Sequence, residues 1–319
     1  MIPHFTGRQR ECEEIAGYVA SRSTRIVSIG GSPGFGKTSV AVAVAHHLSS
    51  QGLPVYFLSL RGLQSTADLT RKLLGFFRRP TSNHQQQQQR LSLDDELFQL
   101  FHEISDPFIL ILDNADELLE SGVAKSKEYF TQFLEEIFRR TEKVTFVITA
   151  RESLEFMNVQ FRGHQAVRIC PLDDLSSQNL VKELLPNVTA SDCTRIQQIC
   201  GHVPLAIKLL CSSISEDDFD DRSQVLDDFT RSLDSNDIVE MLDNPDYSSH
   251  LRLKLLFDSS FQRLSAQQKV ALVSLSVLPE SFNLEVAAAV LGMSQILAVK
   301  IILKTLRRGS FLDSGSKSG

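Results

Sequence analysis

A chain of 319 residues, 42% apolar and 23% charged, has the composition of an ordinary globular protein with room for two or three domains. Its formal net charge of -6 argues against nonspecific nucleic-acid affinity, which needs basic surface, but leaves room for a local basic patch. Cys12, Cys170, Cys193, Cys200 and Cys211 lack CxxC spacing and sit among apolar neighbours, which predicts reduced core thiols, and no apolar run approaches the ~18–20 residues of a membrane span. A soluble, cytoplasmic protein without a membrane partner is the expectation.

In chain order, FTGRQRE (5–11) reads as a polar turn before a helix starting near Arg10. The apolar run RIVSI (25–29) follows, then GGSPGFGKTS (30–39), then SVAVAVAHHL, which has no Gly, Pro or Asn to stop a helix. From Gly31 to Thr38 the spacing fits G-x-x-x-x-G-K-[ST], with Ser32, Gly34, Phe35 and Gly36 inside it and Ser39 just after. Glycines let the backbone turn with positive φ and bring N–H groups close to a polyphosphate, where a Cβ would clash. The helix beginning near Lys37 adds the partial positive charge of its N-terminus. In such a loop Lys37 reaches the β- and γ-phosphates and the Thr38 hydroxyl ligates Mg²⁺.

Further apolar runs come at PVYFLSL (54–60), PFILILD (107–113), KVTFVITA (143–150) and QAVRI (165–169). They are apolar on both faces and separated by helices such as 126–140, which predicts a doubly wound α/β domain with ligands at the carboxyl ends of parallel strands. RPTSNHQQQQQ (79–89) lacks periodicity and is expected to be a flexible surface loop between two helices. FILILD ends in Asp113, an acid placed to hold Mg²⁺ beside Thr38. Asp116 and Glu117 follow in NADE; either they orient or deprotonate an attacking water, or they complement a helix dipole. Thr149 and Arg151 are expected at the same sheet edge, one strand further over, where the Arg151 guanidinium meets a γ-phosphate or solvent.

After Pro171 the strands stop, and LSSQNLVKELLP, ASDCTRIQQICG and PLAIKLLCSSI have helical spacing. The acidic EDDFDD (216–221) is expected to be a solvated loop. From Leu251 on, four helical segments precede GSFLDSGSKSG, the outline of a winged helix with an incomplete wing. The predicted domains are thus 1–170, a P-loop nucleotide-binding domain; 171–248, a helical domain; and 249–319, a winged-helix domain incomplete at its C-terminus.

Five motifs in this order and spacing, FTGRQRE, GSPGFGKTS, LILDNADE, ITARES and CGHVPLAIKL (200–209), resemble the nucleotide-binding core of the signal-transduction ATPases with numerous domains. Within them the closest resemblance is to the NB-ARC branch, which includes plant disease-resistance proteins and the apoptosome-forming activating factor. The resemblance implies that Phe5, Thr6, Arg8 and Pro204 enclose an adenine and that Arg151 is a sensor of the γ-phosphate. It also implies ADP or ATP with Mg²⁺ as ligands, homo-oligomerisation on activation and at most slow ATP hydrolysis. The chain departs from the family in lacking a Met-His pair, and the family's effector and repeat-sensor domains are not found in it, so an excised or truncated core is expected.

The function expected on this resemblance is a nucleotide-controlled switch of innate-immunity or cell-death type. The alternative is a winged-helix DNA-binding regulator or origin-loading ATPase. Against it, SQILAVKIILKTLRRG is mostly apolar, with Lys300, Lys304, Arg307 and Arg308 late in the segment, whereas a recognition helix presents polar and basic residues near its N-terminus; nucleic acid is therefore an unlikely partner on sequence grounds. A scaffold that holds nucleotide permanently is the third possibility.

Overall fold

The computed structural model describes residues 4–21, 23–77, 92–120, 126–151, 154, 163–214, 223–227, 230–231, 254, 257–258, 261–262, 264–278, 282–308 and 312. The chain divides into two compact units. The first comprises Arg8–Gly31 and Lys37–Ile169, and the second Pro3–Gly7, Ser32–Gly36 and Cys170–Gly319.

The first unit is built on a five-stranded parallel sheet of order β2-β3-β4-β1-β5: β1 (Ile26–Gly30), β2 (Val55–Ser59), β3 (Phe108–Asp113), β4 (Val144–Thr149) and β5 (His164–Arg168). All five strands fall within one residue of the apolar runs that predict them. Every residue of β1 and β3 is buried, as strands covered on both faces must be. The accompanying helices are α1 (Gln9–Ala20), α2 (Lys37–Ser50), α3 (Thr66–Phe77), α4 (Leu93–Glu103), α5 (Asp116–Glu120) and α6 (Ser126–Arg140).

Alternate residues of each strand point to opposite faces. Leu110, Leu112, Phe146 and Ile148 accordingly join one cluster with Leu73 of α3, Phe101 of α4 and Phe130 of α6. Phe77, Phe101 and Phe108 meet edge to face there, at centroid separations of 5.4–5.8 Å. Helices α1 and α2 pack on each other and on β1, supplying Ile15, Val40, Val44 and Leu48, all fully buried. Each such side chain removed from water stabilises the fold by about 1.5–3 kcal/mol.

Strand order departs from chain order at one consequential point. Helix α2 carries the chain from β1 to β2 at the sheet edge, and β3 and β4 then fill the sheet back toward β1. Strand β4 therefore stands one strand over from β3, as expected, and on the side that faces β1. Register pairs Ile29 with Thr149 and Leu112 with Ile148, so the three carboxyl ends lie side by side.

In the second unit, α7 (Asp174–Leu184), α8 (Ala190–Cys200) and α9 (Pro204–Ser213) pack on one another. The first two start at side-chain caps, Asp173 accepting from the Ser176 N–H and Thr189 from the Asp192 N–H, each of a type that stabilises a helix by about 1 kcal/mol. Helix α8 ends at Gly201, φ 57°, the left-handed terminator glycine adopts most easily. The segment before α1 packs within this unit, with His4 Nδ1 2.9 Å from Glu183 Oε1. Gly7, at φ +70°, leaves no room for a Cβ, which would stand 2.2 Å from Ser176 Oγ.

Helices α10 (Ala266–Leu275), α11 (Leu284–Val290) and α12 (Ile296–Arg308) share a small core of Ala271, Leu275, Ala287, Val299 and Leu306. They match three of the four helical segments expected there. The glutamine-rich stretch, EDDFDD and, apart from Leu312, the segment expected to form the wing lie outside the described residues. Among the cysteines, Cys193, Cys200 and Cys211 are buried as expected, but Cys170 is exposed and Cys12 half-buried. Cys170 sits just past the last strand, where the sheet no longer covers it. Cys12 lies on α1 near Glu11, and burial together with that carboxylate pushes its thiol up to about 11. No described helix is long and apolar enough to cross a membrane.

Candidate nucleotide-binding site

Buried β1 ends at Gly30, and the next residue shows why glycine is required. Gly31 has φ +143°, and a Cβ there would lie 2.4 Å from the Ile169 carbonyl oxygen. Its N–H donates to the Arg151 carbonyl at 3.2 Å. Gly34 and Gly36 follow with φ 81° and 93°. A Cβ on Gly36 would meet nothing within 4 Å, so that stretch of backbone borders open space in a conformation only glycine adopts easily. Ser32 and Phe35 between them are buried, and the Phe35 N–H donates to the Ser32 carbonyl at 3.4 Å.

Lys37 opens α2, with Ser39 half-buried in its first turn. The Lys37 ammonium donates to the Gly31 carbonyl at 2.6 Å. Burial pushes its pKa down, Arg151 adds to that, and Asp116 and Asp113 oppose it. A phosphate supplies the negative charge that offsets the desolvation of such a group. Beside it, Thr38 Oγ1 lies 3.0 and 3.1 Å from the two carboxylate oxygens of Asp113, sharing its one proton between them.

Asp113 ends β3 and is 6% exposed. Because β4 intervenes between β1 and β3, Thr149 reaches it too: its hydroxyl donates to Asp113 Oδ1 at 2.7 Å and accepts the Asn114 N–H at 2.8 Å. Asn114 sits at φ 64°, a left-handed turn that asparagine tolerates better than most residues. Asp116, 5% exposed at the start of α5, accepts the Arg151 backbone N–H through Oδ1. Its Oδ2 stands 3.7 Å from Arg151 Nε, and that arginine is half exposed. Glu117 follows on α5; its side chain lies outside the described residues. Sequence reasoning places Thr149 only at the sheet edge and misses its hold on Asp113, since nothing in FVITARES shows which strands flank β4. Thr149→Val should cost about 1 kcal/mol of stability by leaving the Asn114 N–H unsatisfied, measurable as a lower urea midpoint with an unchanged slope.

The remaining predicted residues divide between the units. Phe5 and Thr6 are half-buried in the segment grouped with α7–α9. Pro204 is the first residue of α9, and the next residue, Leu205, donates its N–H to the Gly34 carbonyl at 3.2 Å inside the second unit. Arg8 is buried in the first unit, paired with Glu11 at 2.7 Å. Thr38 and Asp113 offer a hydroxyl and a carboxylate, the hard oxygen set Mg²⁺ takes when phosphates and water complete its shell. Among the described residues no cluster of three or more His, Cys, Asp or Glu could hold a metal without such help. The residues present fit Mg²⁺-nucleotide.

Residues 20–157, which include the glycine loop, Lys37, Thr38, Asp113, Thr149 and Arg151, match the AAA domain family AAA_22. This stretch is thus similar to a P-loop ATPase domain of the AAA kind. An uncharacterized WD repeat-containing protein of Nostoc sp. is 27% identical over 302 residues, 88% of this chain and 22% of that protein. A signal transduction ATPase with numerous domains from Pyrococcus horikoshii, bearing a tetratricopeptide repeat sensor, aligns over 98% of this chain and 40% of its own at a TM-score of 0.62 and 17% identity. The Walker-type ATPase of Pyrococcus abyssi aligns over 94% of this chain and 89% of its own at 0.51 and 14% identity. At such identities the two solved structures share the fold alone. This chain spans well under half the length of the first two relatives.

Proposed function

We propose that this chain is the nucleotide-switch core of a signal-transduction ATPase with numerous domains, of the NB-ARC branch, binding ADP or ATP with Mg²⁺. The observation that supports it most is the bonding of Thr38 to both oxygens of Asp113 behind the glycine loop. Lys37 binds phosphate, Thr38 and Asp113 hold the metal, and the loop backbone from Gly31 to Gly36 wraps the phosphates. Mg²⁺, when bound, neutralises phosphate charge. Phe5, Thr6, Arg8 and Pro204 enclose the adenine.

The grouping of Pro3–Gly7 and Ser32–Gly36 with the helices after Cys170 supports a core in which residues 171–248 answer to the nucleotide through the loop itself. Residues 249–319 complete it as a winged-helix domain. Exchange of ADP for ATP favours a different arrangement of these parts only if the two nucleotides bind the arrangements with different affinity, and the released core then self-associates in the cytoplasm. Hydrolysis is slow and resets it. Two relatives are named for repeat arrays, WD in one and tetratricopeptide in the other, which supports a switch that works beside a repeat sensor in a longer protein; its proposed setting is of innate-immunity or cell-death type.

Two measurements test this. Nucleotide released on denaturing the purified protein should be ADP at close to one per chain, and light scattering should show a monomer with ADP and a larger species with a non-hydrolysable ATP analogue. Protein purified free of nucleotide, and unable to bind it, would end the reading. Salt-sensitive binding to fluorescent duplex DNA, unaltered by nucleotide, would favour the DNA-binding alternative.

A further inference from the structure

The turn between α8 and α9 has an unusual backbone for a residue other than glycine. Gly201 and His202 are both left-handed, at φ 57° and 59°. For glycine that conformation is easy; for histidine it is strained by roughly 1 kcal/mol. A side chain kept in such a place needs something to hold it there.

What holds it is a buried polar network on α7 and α8. His202 Nδ1 lies 2.9 Å from the Ser177 hydroxyl. Ser177 is fully buried and Gln197 nearly so. The Gln197 amide donates to Ser177 Oγ at 2.6 Å and to the Asp174 carbonyl at 2.9 Å, and the Ser177 hydroxyl also reaches that carbonyl at 3.1 Å. The His202 backbone is fastened as well, its carbonyl accepting from the Leu172 N–H at 3.0 Å and its N–H donating to the Gln197 carbonyl at 3.3 Å. The imidazole is thus tied to α7 directly and to α8 through the Ser177 hydroxyl.

The turn's exit is what matters for the phosphate loop. Pro204 has no N–H, so Leu205 carries the first available donor of α9. That donor goes to the Gly34 carbonyl, at 3.2 Å. In a trans peptide the carbonyl and the following N–H point opposite ways. Fixing the Gly34 carbonyl therefore fixes the plane of the peptide whose N–H, that of Phe35, meets the Ser32 carbonyl at 3.4 Å, and so helps to set the turn of the loop.

We propose that His202, anchored by Ser177 and Gln197, is a positioning residue for the phosphate loop: it sets the turn that brings Leu205 to the Gly34 carbonyl and thereby slows nucleotide release. This rests on the nucleotide-site reading above. Histidine does here what glycine would do conformationally, and adds an anchor that glycine cannot supply.

The test is the dissociation rate of a fluorescent methylanthraniloyl-ADP, followed by stopped flow on the full chain. Ser177→Ala and His202→Gly should each release it about tenfold faster. His202→Asn, which tolerates the left-handed backbone and supplies a donor, should restore much of the wild-type rate. A purely conformational role predicts the opposite for His202→Gly, a rate equal to wild type or slower. Thermal melts by circular dichroism separate misfolded variants, and for any such case the two remaining variants decide. If wild type holds the probe in a Lys37-dependent manner and Ser177→Ala and His202→Gly both release it at the wild-type rate, the positioning role is overturned and the nucleotide site stands. If wild type does not hold the probe at all, both fall together.

Discussion

Lys37→Ala should weaken both ADP and ATP, and ATP the more. Lys37 is half-buried, its ammonium rests on the Gly31 carbonyl at 2.6 Å, and burial holds its pKa down against the pull of Asp116 and Asp113. A cation kept there at a desolvation cost is most stable with an anion beside it. Each charge-assisted contact to a phosphate is worth about 1.5–3 kcal/mol, or roughly tenfold to a hundredfold. Loss of a β-contact costs ADP one such increment, and loss of β- and γ-contacts costs ATP up to two. Calorimetric titration with both nucleotides measures this, with far-ultraviolet circular dichroism confirming that β1 and α2 still form. Undiminished affinity for both would show that the glycine loop is a strand-to-helix turn and nothing more.

The elements of the first unit are legible because burial on both faces writes itself into composition: IVSI, FILILD and VTFVIT admit few alternatives to buried parallel strands. The glycine loop is legible for a related reason. Gly34 and Gly36 take φ 81° and 93°, a backbone only glycine adopts easily, and that requirement is local. Strand order is not local. Nothing in α2 says how many strand widths it crosses, so the place of β4 between β1 and β3, and the bond from Thr149 to Asp113 that follows from it, emerge only from the assembled sheet. The same limit applies to Arg8, a residue of a polar turn by its neighbours, which tertiary packing buries against Glu11. His202 is hidden differently: a histidine in CGHVP gives no sign of a left-handed backbone, because the side chains that hold it come from α7 and α8.

Arg151→Ala should cost ATP affinity and spare ADP. The γ-phosphate is the one group that differs between the nucleotides, so a residue that tells them apart must reach it. Arg151 stands at the carboxyl edge of the sheet, its carbonyl bonded to Gly31 and its N–H to Asp116, so its Cα is held next to the loop by two backbone contacts the substitution leaves intact. Its guanidinium, half exposed and 3.7 Å from Asp116 Oδ2, is held far less firmly. A solvent-screened pair of that kind is worth about 0–1 kcal/mol, against about 1.5–3 kcal/mol for a charge-assisted contact to phosphate. The γ-phosphate therefore outcompetes Asp116 for the arginine, by a net of the order of 1–2 kcal/mol, and ATP should bind roughly tenfold more weakly to Arg151→Ala. That is well short of the ~5.5 kcal/mol needed to invert a 99:1 preference between two arrangements, so Lys37 and the metal held by Thr38 and Asp113 must supply most of the discrimination. Asp116→Asn sharpens the test, because it keeps an acceptor for the Arg151 N–H while removing the competing charge: ATP should then bind slightly tighter than to wild type, with ADP unchanged. Equal losses of ATP and ADP in Arg151→Ala would instead mean that the guanidinium supports the loop or the β-phosphate and senses nothing.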